Sequence, residues 1–316
     1  MKMETAQPKF VYDGNLNVID DLGILIGCSK GVWQLYGPRH ELHRMTSPTS
    51  VYGITRDASG AYWAACRDVS KIFTFDLAGT KVVNLKCMFH LQEMNMGGSK
   101  KGLHQIDIIG GELYIMDTYN NRCVVCGVED APSSVIYIVY PVGYAKQHYP
   151  KNPKHRHFNS VYGHGDNLYL LAHNNTLKSG KFSDIYVYGK DVRSHYKIIE
   201  GIGRAAHNII IDEAGSLYTC DSGEHSLLRY DGDFVTTLFR DSHFKTFTRG
   251  LAMNQDIVVI GGSRRGNNNK EQNGYLFFLD RKDYSLLCTV TLIKCGQIHE
   301  VRLTGYDLGY SDMERI

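Results

Sequence analysis

The sequence predicts an all-β chain, a six-bladed β-propeller closed by its own two ends, on three observations. The first is an internal period of about fifty residues, the range in which repeat architectures are found. The second is that each unit alternates short apolar runs with Gly, Asn and Asp turns, with no helical period anywhere. The third is that the chain starts with the tail of a unit and ends with the head of one. Four strands per unit around an axis is the logic of a propeller blade.

The units follow in order. Tyr52 to Cys66 aligns without a gap with His207 to Asp221, Asp57 against Asp212 and Gly60 against Gly215. His104 to Asp117 is one residue shorter at the turn, Phe158 to Ala172 is a fourth copy, and Arg249 to Gly261 a fifth with a shorter turn still. Each is a strand, a turn and a second apolar strand. Third strands follow at Lys71 to Phe75, Asp184 to Tyr188, Ser226 to Tyr230 and Tyr275 to Leu279. His299 to Gly305 reads as a first strand with no blade after it, and Asn15 to Gly37 as the rest of a blade with no first strand before it. Joining the two closes a sixth blade and removes an exposed sheet edge. Residues 1–316 are then one propeller domain.

Composition narrows the class. The 316 residues carry 35 Lys and Arg against 33 Asp and Glu, a net charge of +2, which argues against a dedicated nucleic-acid binder. No apolar run reaches the roughly 18 residues of a membrane helix, and Met1 to Phe10 lacks the apolar stretch of a signal peptide. Eight Cys fall mostly in strand-like runs, and Cys123 and Cys126 form a lone CxxC with no second pair. These read as buried thiols of a reduced, cytoplasmic protein.

Asp117-Thr-Tyr-Asn-Asn-Arg122 resembles the signature of NHL repeats, in which an Asp ends the second strand and an Asn-Arg pair opens the third; Asp221-Ser-Gly-Glu-His225 is a degenerate version. The resemblance implies an NHL-like propeller.

The first strand of each blade lies innermost, so the residues at its start line the axis at one face. Around the ring these are His299, Tyr52, His104, Phe158 (preceded by His157), His207 and Arg249. Three His thus fall on alternate blades. Three converging imidazoles with an open fourth position form a site for a divalent metal, zinc first and iron(II) second. Such a metal activates water or substrate. Arg249 is placed to clamp a carboxylate or phosphate, and Tyr52 to act as a general base. One bulge would bring His157 into the ring as a fourth imidazole, an arrangement reminiscent of the carotenoid-cleaving oxygenases. In arrangement the ring resembles the zinc lyase domain of peptidylglycine amidating enzymes. That resemblance implies His104, His207 and His299 as ligands, Tyr52 as base and Arg249 as substrate clamp.

The long loops open onto the same face and are basic: Met94 to Gly102, Tyr144 to His157, Asn174 to Ser183 and Gly262 to Asn273. A rigid scaffold with long loops at one end places its site there, and the local sign attracts anions. Arg156, His157, Arg264 and Asn208 are the substrate-binding candidates. The expected function is a metal-dependent lyase or hydrolase, or an oxidase with iron, acting on a small anionic substrate, with neither membrane nor nucleic acid as partner. The alternative is a non-catalytic NHL-like propeller that binds protein or RNA. A lactonase with calcium on Glu300, Asn208 and Asn159 ranks behind both, since no acidic triad accompanies them.

Overall fold

The computed structural model describes residues 9–45, 49–90, 102–128, 135–142, 155–189, 195–264 and 271–311. Six antiparallel sheets stand around one axis. Their inner strands are Ile298–Leu303, Val51–Arg56, Leu103–Ile109, Phe158–His164, Ala206–Ile211 and Phe247–Met253, which define blades 1 to 6. Each inner strand packs on the next, and the sixth on the first, so the ring is closed.

Closure follows the expected route. The inner strand of blade 1 comes from the C-terminal end and pairs with Gly23–Cys28, which pairs on with Gly31–Tyr36 and Glu41–Arg44. One strand was not anticipated: Phe10–Gly14 joins the outer edge of blade 6 against Leu286–Leu292 as a fifth strand. It covers an edge that would otherwise stay open. Among the described residues the only α-helical stretch is Thr176–Ser179, and no helix is long and apolar enough to cross a membrane.

Six apolar clusters fill the six gaps between neighbouring sheets. Leu25 and Val32 of blade 1 meet Val51 and Phe75 of blade 2 in one of them. Ile24 and Trp33 of blade 1 meet Leu276 and Phe278 of blade 6 in another. Burying both faces of every sheet is what makes the strands read as nearly continuous apolar runs.

The residues that made the repeat visible are turn builders. Asp57 accepts from the Ala61 amide (3.0 Å) and the Trp63 indole (2.8 Å), and Asp212 from the Ser216 amide (2.9 Å) and the Tyr218 hydroxyl (2.9 Å). The NHL-like hexapeptide is also structural. Asp117, fully buried, takes the Gly102 amide (3.0 Å), the Asn120 side chain (2.6 Å) and an ion pair with buried Arg122 (3.0 Å). None of the eight cysteines forms a disulfide; Cys123 and Cys126 are buried in a strand, which pushes both thiols up.

The end of the axis where the inner strands finish is sealed by residues 304–311. Asp307 accepts from the amides of Met253 (3.0 Å), Leu303 (2.8 Å) and Gly309 (2.8 Å), and the Tyr162 hydroxyl donates to the Leu308 carbonyl (2.6 Å). Ser311 bridges the Gly163 amide (2.7 Å) and the Asp107 carboxylate. The site must open at the other end.

Candidate functional site: a ring of bulges at the axis

In each of the six blades the inner strand carries one residue more than its neighbour close to the strand's start. The extra residues fall within 52, 104–105, 159, 208–209, 249–250 and 299. A bulge breaks the alternation of a strand and re-aims a side chain. Repeated six times at one level, it turns a ring of polar side chains onto the axis. Gly250 shows how tight the ring is: it has a positive φ of 80°, and a Cβ there would lie 2.8 Å from the Val301 amide of blade 1.

The bulges line one small pocket with Tyr52, His104, Gln105, Asn159, Ser160, His207, Asn208, Arg249, His299 and Glu300. Of the residues proposed from sequence, Tyr52, His104, His207, Asn208, Arg249 and His299 are therefore brought together. Phe158 is not in the ring. It is fully buried against Tyr186 in the gap between blades 3 and 4, and the bulge puts Asn159 on the axis instead. His157, at a positive φ of 57°, sits behind the pocket, 5.5 Å from the His104 ring and 4.7 Å from that of His173. Arg264 is exposed at the rim, and Arg156 ties its amide to Asn121 (2.9 Å) and lies beside Tyr186; neither lines the pocket. Lys100, Lys101, Lys146, His148, Lys151, Lys154, Arg265 and Lys270 of the basic loops lie outside the described residues.

The three alternate-blade His are buried, and burial, reinforced by nearby guanidinium groups, holds each well below the usual imidazole pKa. They are neutral at pH 7, as ligands would be, yet they do not act as three ligands. His299 is stacked flat on Tyr52 (centroids 3.8 Å apart), with Nδ1 facing the Arg249 guanidinium (3.3 Å) and Nε2 facing the Ser29 hydroxyl (3.4 Å). His104 turns Nε2 to Arg67 (3.4 Å). A guanidinium only donates, so the lone pairs of these two imidazoles point at protons. His207 differs. Its Nδ1 lies 2.8 Å from the Ala205 carbonyl and from the Ser222 hydroxyl, whose own proton goes to the Thr248 carbonyl at 2.5 Å. Nδ1 therefore carries the hydrogen, and Nε2 is a bare acceptor with no partner among the described residues. One lone pair of three is available, and among the described residues no three His, Cys, Asp or Glu side chains are gathered to hold a metal ion. The residues present do not fit the three-His zinc or iron centre expected from the repeat.

The arrangement instead concentrates positive charge. Arg67, which sequence reasoning missed, enters from the turn after the second strand of blade 2. Its guanidinium lies over the rings of Tyr52 (4.6 Å) and Tyr119 (5.2 Å). Tyr52 hydrogen-bonds both Arg67 and Arg249, so one phenol fixes two guanidinium groups. Burial lowers Arg249 to about 10, which still leaves it charged at neutral pH. Among the described residues neither arginine meets a carboxylate; the groups acting on Arg249 are Tyr52 and Arg67.

The pocket floor is Glu300, fully buried. Burial raises its carboxyl to about 8, against the opposing pull of Arg302. Asn208, at a positive φ of 62°, links the floor to the wall: its amide donates to Glu300 Oε1 (3.0 Å) and its Oδ1 takes the Gly250 amide (2.8 Å).

The fold and site define a class, the six-bladed β-propellers with a polar pocket at one end of the axis. No family model matches the sequence, and no curated protein is significantly similar to it. Solved structures share the fold. A chain of the nidogen/laminin complex superposes with a TM-score of 0.63 at 10% identity over 89% of this chain and 98% of its own. A protein from Lactobacillus plantarum gives 0.54 at 13% identity over 89% and 99%. A candidate gluconolactonase gives 0.52 at 10% identity over 82% and 91%.

Proposed function

We propose that the protein is an enzyme of lyase or hydrolase type that takes a small anionic substrate into the axial pocket and acts on it by proton transfer. One observation carries the reading: Arg249 in the pocket wall and Arg67 behind it, both hydrogen-bonded to Tyr52, form no ion pair with a carboxylate among the described residues. Despite burial, Arg67 is held above its ordinary pKa by the phenols of Tyr52 and Tyr119, but burial lowers Arg249, a cost that an incoming anion offsets. Arg249 and Arg67 are the anion ligands. His207, neutral and with Nδ1 held by the Ala205 carbonyl, presents Nε2 as a base whose orientation is set in advance. Tyr52 positions the two arginines. No step runs through a metal, because two of the three imidazole lone pairs face arginine. The likeness in fold to a candidate gluconolactonase agrees with a catalytic propeller and says nothing of the substrate.

Calorimetric titration with acetate, malonate and inorganic phosphate tests the reading. At least one of these anions should bind the wild-type protein, and Arg249→Gln should weaken it by about 10- to 150-fold, the loss of one charge-assisted hydrogen bond of about 1.5–3 kcal/mol. Affinities that do not change on substitution of either arginine would overturn it.

A further inference from the structure

The inner pocket, beneath Arg249, holds three side-chain polar atoms with no partner among the described residues, and the roles of all three follow from their neighbours. Gln105 is 2% exposed, and its Oε1 receives the Val161 amide hydrogen (3.2 Å). A backbone amide only donates, so the side-chain orientation is settled and Nε2, a donor, is left unpartnered. His207, 4% exposed, presents Nε2 as an acceptor because Nδ1 donates to a carbonyl. Glu300 is completely buried. Its Oε1 takes three donors, from Asn208 Nδ2 (3.0 Å), Arg302 Nη1 (3.1 Å) and the Val301 amide (3.3 Å), while Oε2 has none. When the carboxyl is protonated, the hydrogen therefore sits on Oε2, and burial keeps it there near neutral pH.

The inner pocket thus offers two donors and one acceptor. The complement is one donor and two acceptors, which is the inventory of an alcohol hydroxyl. A carbonyl would leave His207 without a hydrogen, and an ammonium group would meet the two donors with none of its own acceptors. The enclosed space is about 10 Å3, about what one water-sized group needs, so only a hydroxyl enters it and the rest of a short ligand stays at the mouth. We infer that the substrate is a small hydroxy acid, its carboxylate at Arg249 and Arg67 and its hydroxyl among Gln105, His207 and Glu300. This rests on the axial anion site proposed above and names the substrate class for it.

Matched pairs of acids that differ by one hydroxyl test the inference by calorimetry: lactate against propionate, and malate against succinate. In at least one pair the hydroxy acid should bind tenfold tighter or better, as expected when the unhydroxylated partner leaves buried polar groups unpaired. Gln105→Leu should cut that preference to under threefold with propionate or succinate affinity unchanged. Glu300→Gln keeps a donor at the Oε2 position and should retain the preference, which keeps the test decisive if the leucine variant misfolds. Equal affinities within each pair, with Arg249→Gln still weakening both members, would mean that the inner pocket holds only water; the hydroxy-acid assignment would fall and the anion site would stand. If none of the four acids binds at 10 mM, a concentration of about the magnitude a weak ligand of −3 kcal/mol requires, both readings fall.

Discussion

Replacing Arg249 with glutamine should make the protein more stable while it loses its anion. Burial lowers the guanidinium from 12.5 to about 10, which at about 1.4 kcal/mol per pH unit is a cost of about 3 kcal/mol in the folded state. That net cost already includes the hydrogen bond to Tyr52, and against it stands the contact with the Phe247 ring at 4.9 Å, about 0.5–1 kcal/mol. The balance favours the variant by about 2 kcal/mol, or a rise of about 4–6 °C in melting temperature for a chain of this size. Arg249 also depresses His104, His157, His207 and His299, so in Arg249→Gln all four imidazoles should titrate nearer the ordinary value. Thermal melts at low salt and histidine titration by NMR measure the two effects. A fall in melting temperature with the imidazoles unmoved would refute the account, since it would mean that Arg249 is compensated in the folded protein and is not held ready for a ligand.

Three further outcomes follow from the same structure. Stability should peak near pH 6.5–7: the depressed imidazoles make the unfolded chain bind more protons as pH falls below about 6.5, while Glu300, raised to about 8, makes the folded chain bind one more between about 4.5 and 8. Four His outweigh Glu300 just below pH 6.5, while lower down the raised Asp107, Asp221 and Asp307 also hold protons in the folded chain and flatten the acid limb; above pH 7 Glu300 should cost up to about 1.4 kcal/mol per pH unit, so a denaturation series that rises steadily from pH 7 to 8 contradicts it. Asp117→Ala should cost about 3–5 kcal/mol in urea unfolding, because it leaves Arg122 buried without its partner; a loss under 1 kcal/mol, on the order of a surface pair, contradicts the role given to the hexapeptide. Dialysis against a chelator should change neither melting temperature nor anion affinity, and a drop in either that added zinc restores would reinstate the three-His metal.

The fold was legible because the blades repeat the residues that make turns. Asp57 and Asp212 sit at equivalent turns and bond equivalent neighbours, so a gapless alignment finds them, and closure could be read from an unpaired head at His299 and an unpaired tail after Asn15. The site was legible only in part, because it is built from the departures from regular pairing. A bulge adds a residue to one strand without changing the alignment, so Phe158 took the place that Asn159 holds. Counting positions placed His104, His207 and His299 on alternate blades correctly, but ring orientation depends on partners from other segments, such as Ser29 and Arg67. Arg67 carried no signal at all. It follows Cys66 in an ordinary strand turn, and only the approach of blade 3 brings His104 to it. Phe10–Gly14 was missed because five residues at a chain end show no period of their own.

Two arginines on the same axis separate the parts of the protein that hold it together from the part that works. Arg302 is completely buried, yet its surroundings compensate it: Glu300 Oε1 accepts from it at 3.1 Å, the charges of Asp307 and Asp107 stand near it, and the carbonyls of Ile54 (3.0 Å) and Leu251 (3.1 Å) accept from it. Those groups hold its pKa above the ordinary value despite burial. Arg249, at the opposite end of the inner strands, has the reverse environment: a phenol, an imidazole and a second guanidinium, with its pKa lowered. The same residue type in the same ring of strands thus ends with opposite electrostatics. Nothing in the packing of the blades requires this, since a neutral side chain at 249 would spare the fold an unpaired charge. A cation kept at such a cost, beside Arg67 and above three polar atoms with no partner among the described residues, fits the proposed ligand, an anion with a hydroxyl behind it.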